Sequence, residues 1–249
     1  LPAPPPPAPA RTTRGGDIYL GTTAGLYRYD RAEDRFQSCP EFGSSFIHAL
    51  YEDSRGNLWV GTYGNGLWTG KDGAYKHITL NDKEFGLTSD YITSIREDSR
   101  HRLWVLTETG GACFAGLDEI ASGNFRFRSL SRRNGLPSSI TCCLVEDLDQ
   151  VLWLTTTHGI VKLDPEDLSI REIYQEEHGD TMNQYSYGSA CSTSSGRLYF
   201  GTSRGLVGFT PPERTNRAPL KLFITEISAN GPNGPFPVTE KGKSTLHTQ

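Results

Sequence analysis

Apolar side chains in this chain come in short runs rich in Val, Ile, Leu, Thr and aromatics, separated by Gly, Asn, Asp and Ser turns. No helical spacing of about 3.6 residues is sustained over about ten residues, so the pattern predicts strands almost throughout. The runs also recur. An aromatic sits at the centre of five similar segments: Tyr19 in DIYLGTTAGLYRYD, Trp59 in NLWVGTYGNGLW, Trp104 in RLWVLTETGGACF, Trp153 in VLWLTTTHGIVKLD and Tyr199 in RLYFGTSRGLVGF. Their successive spacings are 40, 45, 49 and 46 residues. A period of that length filled with strands predicts an all-β fold, a β-propeller of four-stranded antiparallel blades.

Overlaying the units gives the strand plan. Strand A is FIHALYED from Phe46, YITSIRED from Tyr91, ITCCLVED from Ile140 and, more loosely, YGSACSTS from Tyr187. Strand B carries the central aromatic, a glycine-bounded turn leads to strand C, and a short polar turn leads to strand D. In a propeller strand A lines the channel, where crowding favours small side chains. The fourth column of the overlay accordingly reads Ala49, Ser94, Cys143 and Ala190. Cys142 and Cys191 fall in the same strand and read as small buried hydrophobes; adjacent strand residues point to opposite faces, which disfavours a disulfide between Cys142 and Cys143.

The repeated residues read as architecture. Tyr19, Trp59, Trp104, Trp153 and Tyr199 are expected to bury large areas between blades. Gly25, Gly66, Gly111, Gly159 and Gly205 each follow the B–C turn, where positive φ or close backbone approach is expected. The pairs Glu52-Asp53, Glu97-Asp98 and Glu146-Asp147 resemble catalytic acids, yet they recur at one corner of three blades. Asp53, Asp98 and Asp147 therefore read as caps of the A–B turn.

Composition narrows the function. A net charge of −4 and a pI near 5.9 give no basic surface for nucleic acid, and no K/R-rich block points to an anionic membrane. No apolar run reaches the roughly 18 residues of a membrane helix, and no signal-peptide pattern opens the chain. Five cysteines without a C-x-x-C pair do not make a disulfide scaffold or a zinc site, and the six histidines show no metal-ligand spacing. There is no H-E-x-x-H, G-x-S-x-G or phosphate loop. No catalytic residue, metal or cofactor is expected.

Three regions follow. Residues 1–15, LPAPPPPAPARTTRG, favour polyproline II and read as a disordered tail or linker, with folded sequence beginning near Asp17 and no recognisable strand A ahead of it. Residues 16–212 hold about five blades. Residues 213–249 read as a linker and the first strand or strands of a further β-domain.

FGLTSDYITSIREDSRHRLWVLTETGG and NGLPSSITCCLVEDLDQVLWLTTTHGI resemble the regulator-propeller repeats of two-component sensors. NRAPLKLFITEISANG resembles the opening of the β-sandwich that follows such propellers. The resemblance implies a periplasmic, ligand-sensing region of a hybrid histidine kinase, often reporting glycans, with the kinase C-terminal to this segment. It also implies more blades than five and admits a homodimer of the full sensor. A propeller lyase or hydrolase and a protein-interaction propeller are the alternatives.

For a sensor, the B–C turns and D–A loops share one end, and their groups vary within a fixed frame. Tyr63, Asn65, Glu108, Thr109, His158 and Arg204 are the candidate contacts for a small-molecule or oligosaccharide ligand. NDKEFGLTSD and QEEHGDTMNQYS supply the neighbouring loops.

Overall fold

The computed structural model describes residues 9–71, 73–175, 184–212, 228–231 and 234–237. Five antiparallel sheets follow one another along the chain, each with its strands in sequence order. Blade 1 comprises β1 (Ala10–Thr12), β2 (Ile18–Thr22), β3 (Gly25–Asp30) and β4 (Arg35–Ser38). Blade 2 comprises β5 (Ile47–Glu52), β6 (Leu58–Thr62), β7 (Leu67–Lys71) and β8 (Ala74–Ile78). Blade 3 comprises β9 (Ile92–Glu97), β10 (Arg102–Thr107), β11 (Ala112–Gly116) and β12 (Arg128–Leu130), with a short helix α1 (Leu117–Ala121) between the last two. Blade 4 comprises β13 (Thr141–Glu146), β14 (Leu152–Thr156), β15 (Gly159–Leu163) and β16 (Ile170–Tyr174). Blade 5 has three strands among the described residues, β17 (Tyr185–Ser192), β18 (Leu198–Thr202) and β19 (Gly205–Phe209). A second unit, residues 212–249, contains the antiparallel hairpin β20 (Ser228–Gly231) and β21 (Gly234–Pro237). Most of the expected opening of the β-sandwich lies outside the described residues.

The apolar core is divided between blades. Tyr19 clusters with Ile47, Leu58 and Val60 of blade 2, and Trp59 with Ile95, Leu103 and Val105 of blade 3. Trp104 packs with Leu144, Leu152 and Leu154 of blade 4, and Trp153 with Leu198 and Phe200 of blade 5. Trp59, Trp104 and Trp153 are fully buried, whereas Tyr199 is half-buried. Each central aromatic up to Trp153 is thus a tie to the next blade. Helix α1 replaces the short polar turn expected after strand C: Leu117 and Ile120 join the core between blades 2 and 3.

The turns carry repeated polar devices. At each B–C turn a threonine hydroxyl donates to the glycine carbonyl that closes the turn and accepts a turn N–H; Thr62 does so with Gly66 at 2.8 Å and Asn65 at 2.9 Å. Thr22, Thr107, Thr156 and Thr202 repeat it. The closing glycines all have positive φ, and a Cβ at Gly66 would also lie 2.4 Å from the Ile78 carbonyl oxygen. Only glycine meets both demands.

At the A–B end Asp53 Oδ1 accepts the N–H groups of Arg55 and Asn57, each at 2.9 Å, while Oδ2 accepts the Trp59 indole N–H at 2.8 Å. Asp98 does the same for Arg100, Arg102 and Trp104, and Asp147 for Asp149, Val151 and Trp153. The preceding glutamate reaches the other way, to the previous blade. Glu52 accepts from Arg14 N at 2.8 Å, Glu97 from Ser54 N at 2.6 Å, and Glu146 from Ser99 N at 2.9 Å. Blades 1 and 5 replace Asp and Trp together: Thr13 caps the turn before Tyr19, and Thr193 caps the turn before Tyr199. A tyrosine brings no indole donor, so a hydroxyl cap suffices.

Two expectations are corrected. Folded chain begins ahead of Asp17, because β1 pairs Arg11 with Tyr19 and supplies the inner strand of blade 1. Its sequence, Ala-Arg-Thr, has no apolar alternation; backbone pairing and the Arg14 bonds to Glu52, Asp53 and Ser54 hold this segment instead. The second correction concerns blade 5. β17 pairs Ala190 with Phe200 and Cys191 with Tyr199, as β5 pairs Leu50 with Val60 and Tyr51 with Trp59. Ala190 is therefore one column later than the overlay placed it, and Ser189 takes the small-residue position. A one-residue slip reverses the faces, so Cys191 is exposed rather than buried, while Cys113, Cys142 and Cys143 are buried free thiols.

Two outcomes test this architecture. Glu146→Ala removes the acceptor of both Ser99 N and Ser99 Oγ across the blade junction, and should lower unfolding free energy in urea by about 1–3 kcal/mol; an unchanged midpoint would show that the junction does not depend on it. In thiol labelling of the native chain, Cys191 should react first. Cys39 is half-buried with its thiol raised by burial to about 11, so it should follow slowly. Cys113, Cys142 and Cys143 should label only on unfolding, and fast labelling that survives Cys191→Ser would contradict the register.

Candidate functional site

The B–C turns and the starts of the inner strands share one end of the blades. The Tyr63 and Tyr91 backbones form a bridge, Gly64 N donates to Asp90 O at 3.0 Å, and Gly111 N to Ser139 O at 2.9 Å. The A–B turns, with their repeated Asp and Glu bonds, occupy the opposite end. Variation is therefore segregated from the structural repeats.

A β-bulge in the inner strand of each of blades 2 to 5 shapes the axial part of this end. Between the paired positions Ile47 and Ala49 in β5, Ile92 and Ser94 in β9, and Thr141 and Cys143 in β13, a single residue is left over: His48, Thr93 and Cys142. In β17 the bulge is larger. Residues 186–189 stand between Tyr185 and Ala190 opposite Gly201 alone, with Gly188 at φ 65°. Bulges re-aim side chains and often neighbour functional sites. Here the bulge brings Tyr187 to the His48 ring, with centroids 5.4 Å apart, while the Gly188 carbonyl accepts from Arg96 of blade 3 at 3.2 Å. The Cys143 thiol donates to Ser186 O at 2.9 Å and accepts Ser189 N at 3.1 Å. β17 accordingly packs against both β13 and β9.

An aromatic cup results. Phe46 and Tyr63 lie 5.8 Å apart, His48 and Tyr63 5.8 Å, and Tyr63 and Tyr91 5.0 Å edge to face. The Glu108 carboxylate is at its rim. Hydrogen bonding to Glu108, with burial second, pushes the Tyr63 phenol up to about 12. Burial first, and the Glu108 charge second, push the Tyr187 phenol up as well. Burial pulls His48 below the usual imidazole range, against smaller opposing effects of a hydrogen bond to the Thr93 backbone and of the Glu108 charge. His48 Nδ1 is buried without a hydrogen-bond partner among the described residues. The Cys142 thiol beneath is pushed by burial up to about 12, which makes it a poor nucleophile at neutral pH.

The six residues singled out in the sequence divide between cup and rim. Tyr63 and Glu108 meet in the cup. Asn65 instead donates to Ser45 Oγ at 2.8 Å, Thr109 to Ser89 Oγ at 2.7 Å, and His158 Nδ1 sits 3.1 Å from Thr157 Oγ1. Arg204 is exposed on the blade 5 turn, where its N–H bonds Thr202 Oγ1. Among the described residues no hydrogen bond or ion pair joins these four to one another. The loop at 175–186 lies mostly outside the described residues. Phe46, His48, Tyr91 and Tyr187 were not among the candidates. The signal for Phe46 and Tyr91 is the shared aromatic that opens FIHALYED and YITSIRED, and for His48 and Tyr187 it is the part of strand A where the blades differ.

Among the described residues no three His, Cys, Asp or Glu side chains gather as metal ligands, and no helix is long and apolar enough to cross a membrane. Comparison with known proteins places this geometry. The model of the family described as two component regulator propeller matches residues 41–64 and 86–109, which run through strands A and B of blades 2 and 3. Histidine kinase P4 of Formosa agariphila is 26% identical over 191 residues, covering 76% of this chain and 14% of that protein. A crystal structure from B. thetaiotaomicron, described as the extracellular domain of a hybrid two component system, superposes with a TM-score of 0.67 at 22% identity, covering 82% of this chain and 27% of that one. Virginiamycin B lyase from Staphylococcus aureus superposes with a TM-score of 0.58 at 14% identity, covering 98% of this chain and 73% of that one. The chain thus spans well under half the length of the two sensor relatives. Residues 41–64 and 86–109 thus match two component regulator propeller repeats, and the chain over most of its length has a β-propeller scaffold.

Proposed function

We propose that this chain is part of the extracytoplasmic ligand-sensing region of a hybrid two-component sensor, which detects a glycan or oligosaccharide and passes the signal toward a histidine kinase. The observation that carries the reading is the regulator-propeller match on blades 2 and 3, which supply most of the cup. The histidine kinase and the sensor extracellular domain among its relatives support it. The site's own chemistry agrees with binding rather than turnover. Tyr63, Tyr91 and Phe46 offer ring faces on which a sugar stacks, Glu108 and His48 offer acceptors for hydroxyls, and the turns beneath are locked by their threonine bonds. The reading also admits a homodimer of the full sensor. The lyase likeness keeps a propeller enzyme as the rival reading, and it rests on the fold alone.

A thermal-shift screen of the 249-residue chain against a panel of oligosaccharides separates the two. A ligand at 100 times its Kd stabilises by about 2.7 kcal/mol, which at about 2–4 °C per kcal/mol for a chain this size raises Tm by roughly 5–10 °C. At least one oligosaccharide should do so and be recovered intact by chromatography. Recovery of cleaved product would favour the enzyme, and a panel without effect would overturn the glycan reading.

A further inference from the structure

The cup is unbalanced in its polar chemistry. Glu108 is an acceptor only, and it forms no ion pair with Lys or Arg among the described residues. Glu108 is the one acidic or basic side chain of Asp, Glu, Lys or Arg type acting on Tyr63, His48 and Cys142. His48 adds a second acceptor. The ring hydrogen-bonds the Thr93 backbone, and its Nδ1 is buried with no hydrogen-bond partner among the described residues; with the ring proton on the other nitrogen, Nδ1 is an acceptor. A buried acceptor without a donor is costly, and its presence calls for a donor from elsewhere.

The remaining wall is aromatic. Phe46, Tyr63, Tyr91 and Tyr187 surround His48 and Glu108, and Tyr63 and Tyr91 are 38% and 42% exposed, so the cup opens to solvent. Electron-rich ring faces attract cations. A carboxylate among such faces, with a neighbouring lone pair and no basic side chain, repels anions. A neutral sugar would satisfy His48 and leave the carboxylate without a counter-charge. We propose that the cup of His48, Tyr63, Glu108 and Tyr187 binds a protonated amine on a hydroxylated body, the chemistry of an amino sugar with a free amino group. The ammonium sits against Glu108 and the Tyr63 and Tyr187 rings, and an N–H or hydroxyl of the ligand donates to His48 Nδ1. This assignment rests on the ligand-sensing reading above and narrows its ligand class.

The test is calorimetric titration of the 249-residue chain with D-glucosamine, N-acetylglucosamine and glucose, at a pH where the free amine is protonated and at two salt concentrations. Glucosamine should bind at least tenfold more tightly than either of the others, and more weakly at high salt. Glu108→Gln should remove the preference by weakening glucosamine at least tenfold while leaving the neutral sugars within about twofold. Equal affinity for all three sugars, or no measurable glucosamine binding, would overturn the proposal, and the comparison on the unaltered chain decides this even if Glu108→Gln fails to fold. The outcomes also separate this assignment from the broader one. Stabilisation by neutral oligosaccharides with no response to glucosamine sinks the amine site and leaves glycan sensing standing; glucosamine binding without any response to the oligosaccharide panel supports the amine site and removes the glycan reading.

Discussion

A carboxylate that holds a turn and a tryptophan at once, buried at Asp53 and Asp98 and half-buried at Asp147, is the contact on which this propeller depends. Asp53, Asp98 and Asp147 each use one oxygen for two N–H groups of the A–B turn and the other for the indole N–H six residues on. Buried charge is tolerated only when its acceptor capacity is used. The Asp98 side chain is 1% exposed and also takes the Arg102 guanidinium at 2.6 Å. The carboxylate fixes the hairpin that joins strands A and B, and the tryptophan so oriented fills the junction with the next blade. Glu52, Glu97 and Glu146 then link that hairpin to the preceding blade. The series ends at blade 5, where Ser192 replaces the glutamate and exposed Leu148 rests near Gly196 instead.

Fixing one end frees the other. The threonine and glycine of each B–C turn carry that turn's geometry, so Tyr63, Glu108, His158 and Arg204 can differ without disturbing a strand. The bulges serve the same division. In blades 2, 3 and 4 they leave one residue of the inner strand outside the ladder, where it need not match its counterparts. Blade 5 takes this furthest, and its enlarged bulge carries Tyr187 to a histidine three blades away. A ring of identical groups offers no distinction between the ends of an asymmetric ligand; His48, Thr93, Cys142 and Tyr187 are all different.

What could be read in the sequence is what repeats. The period, the strand order, the buried tryptophans and the capping aspartates follow from five overlaid segments, and the Asp–Trp and Thr–Tyr pairs share one six-residue spacing. What could not be read is held by features without side-chain pattern. Strand β1 is three residues kept by backbone pairing and by Arg14. The register of β17 was hidden by the added bulge residues, which displaced Ala190 and Cys191 from their apparent columns. Two members of the cup, His48 and Tyr187, escaped notice for a related reason: the overlay draws attention to positions that agree, and the bulges are where the blades diverge; Phe46 and Tyr91 stand one residue ahead of β5 and β9.

A double-mutant cycle on Asp98 and Trp104 tests the central contact most directly. Asp98→Ala, Trp104→Phe and the double variant would be compared by urea unfolding, since Phe keeps most of the buried area and lacks only the indole donor. Hydrogen bonds to charged groups contribute about 1.5–3 kcal/mol, so a coupling of at least about 1 kcal/mol between the two sites is expected. Effects that simply add, within about 0.3–0.5 kcal/mol, would show that the carboxylate and the tryptophan act independently and that the hairpin does not depend on their bond.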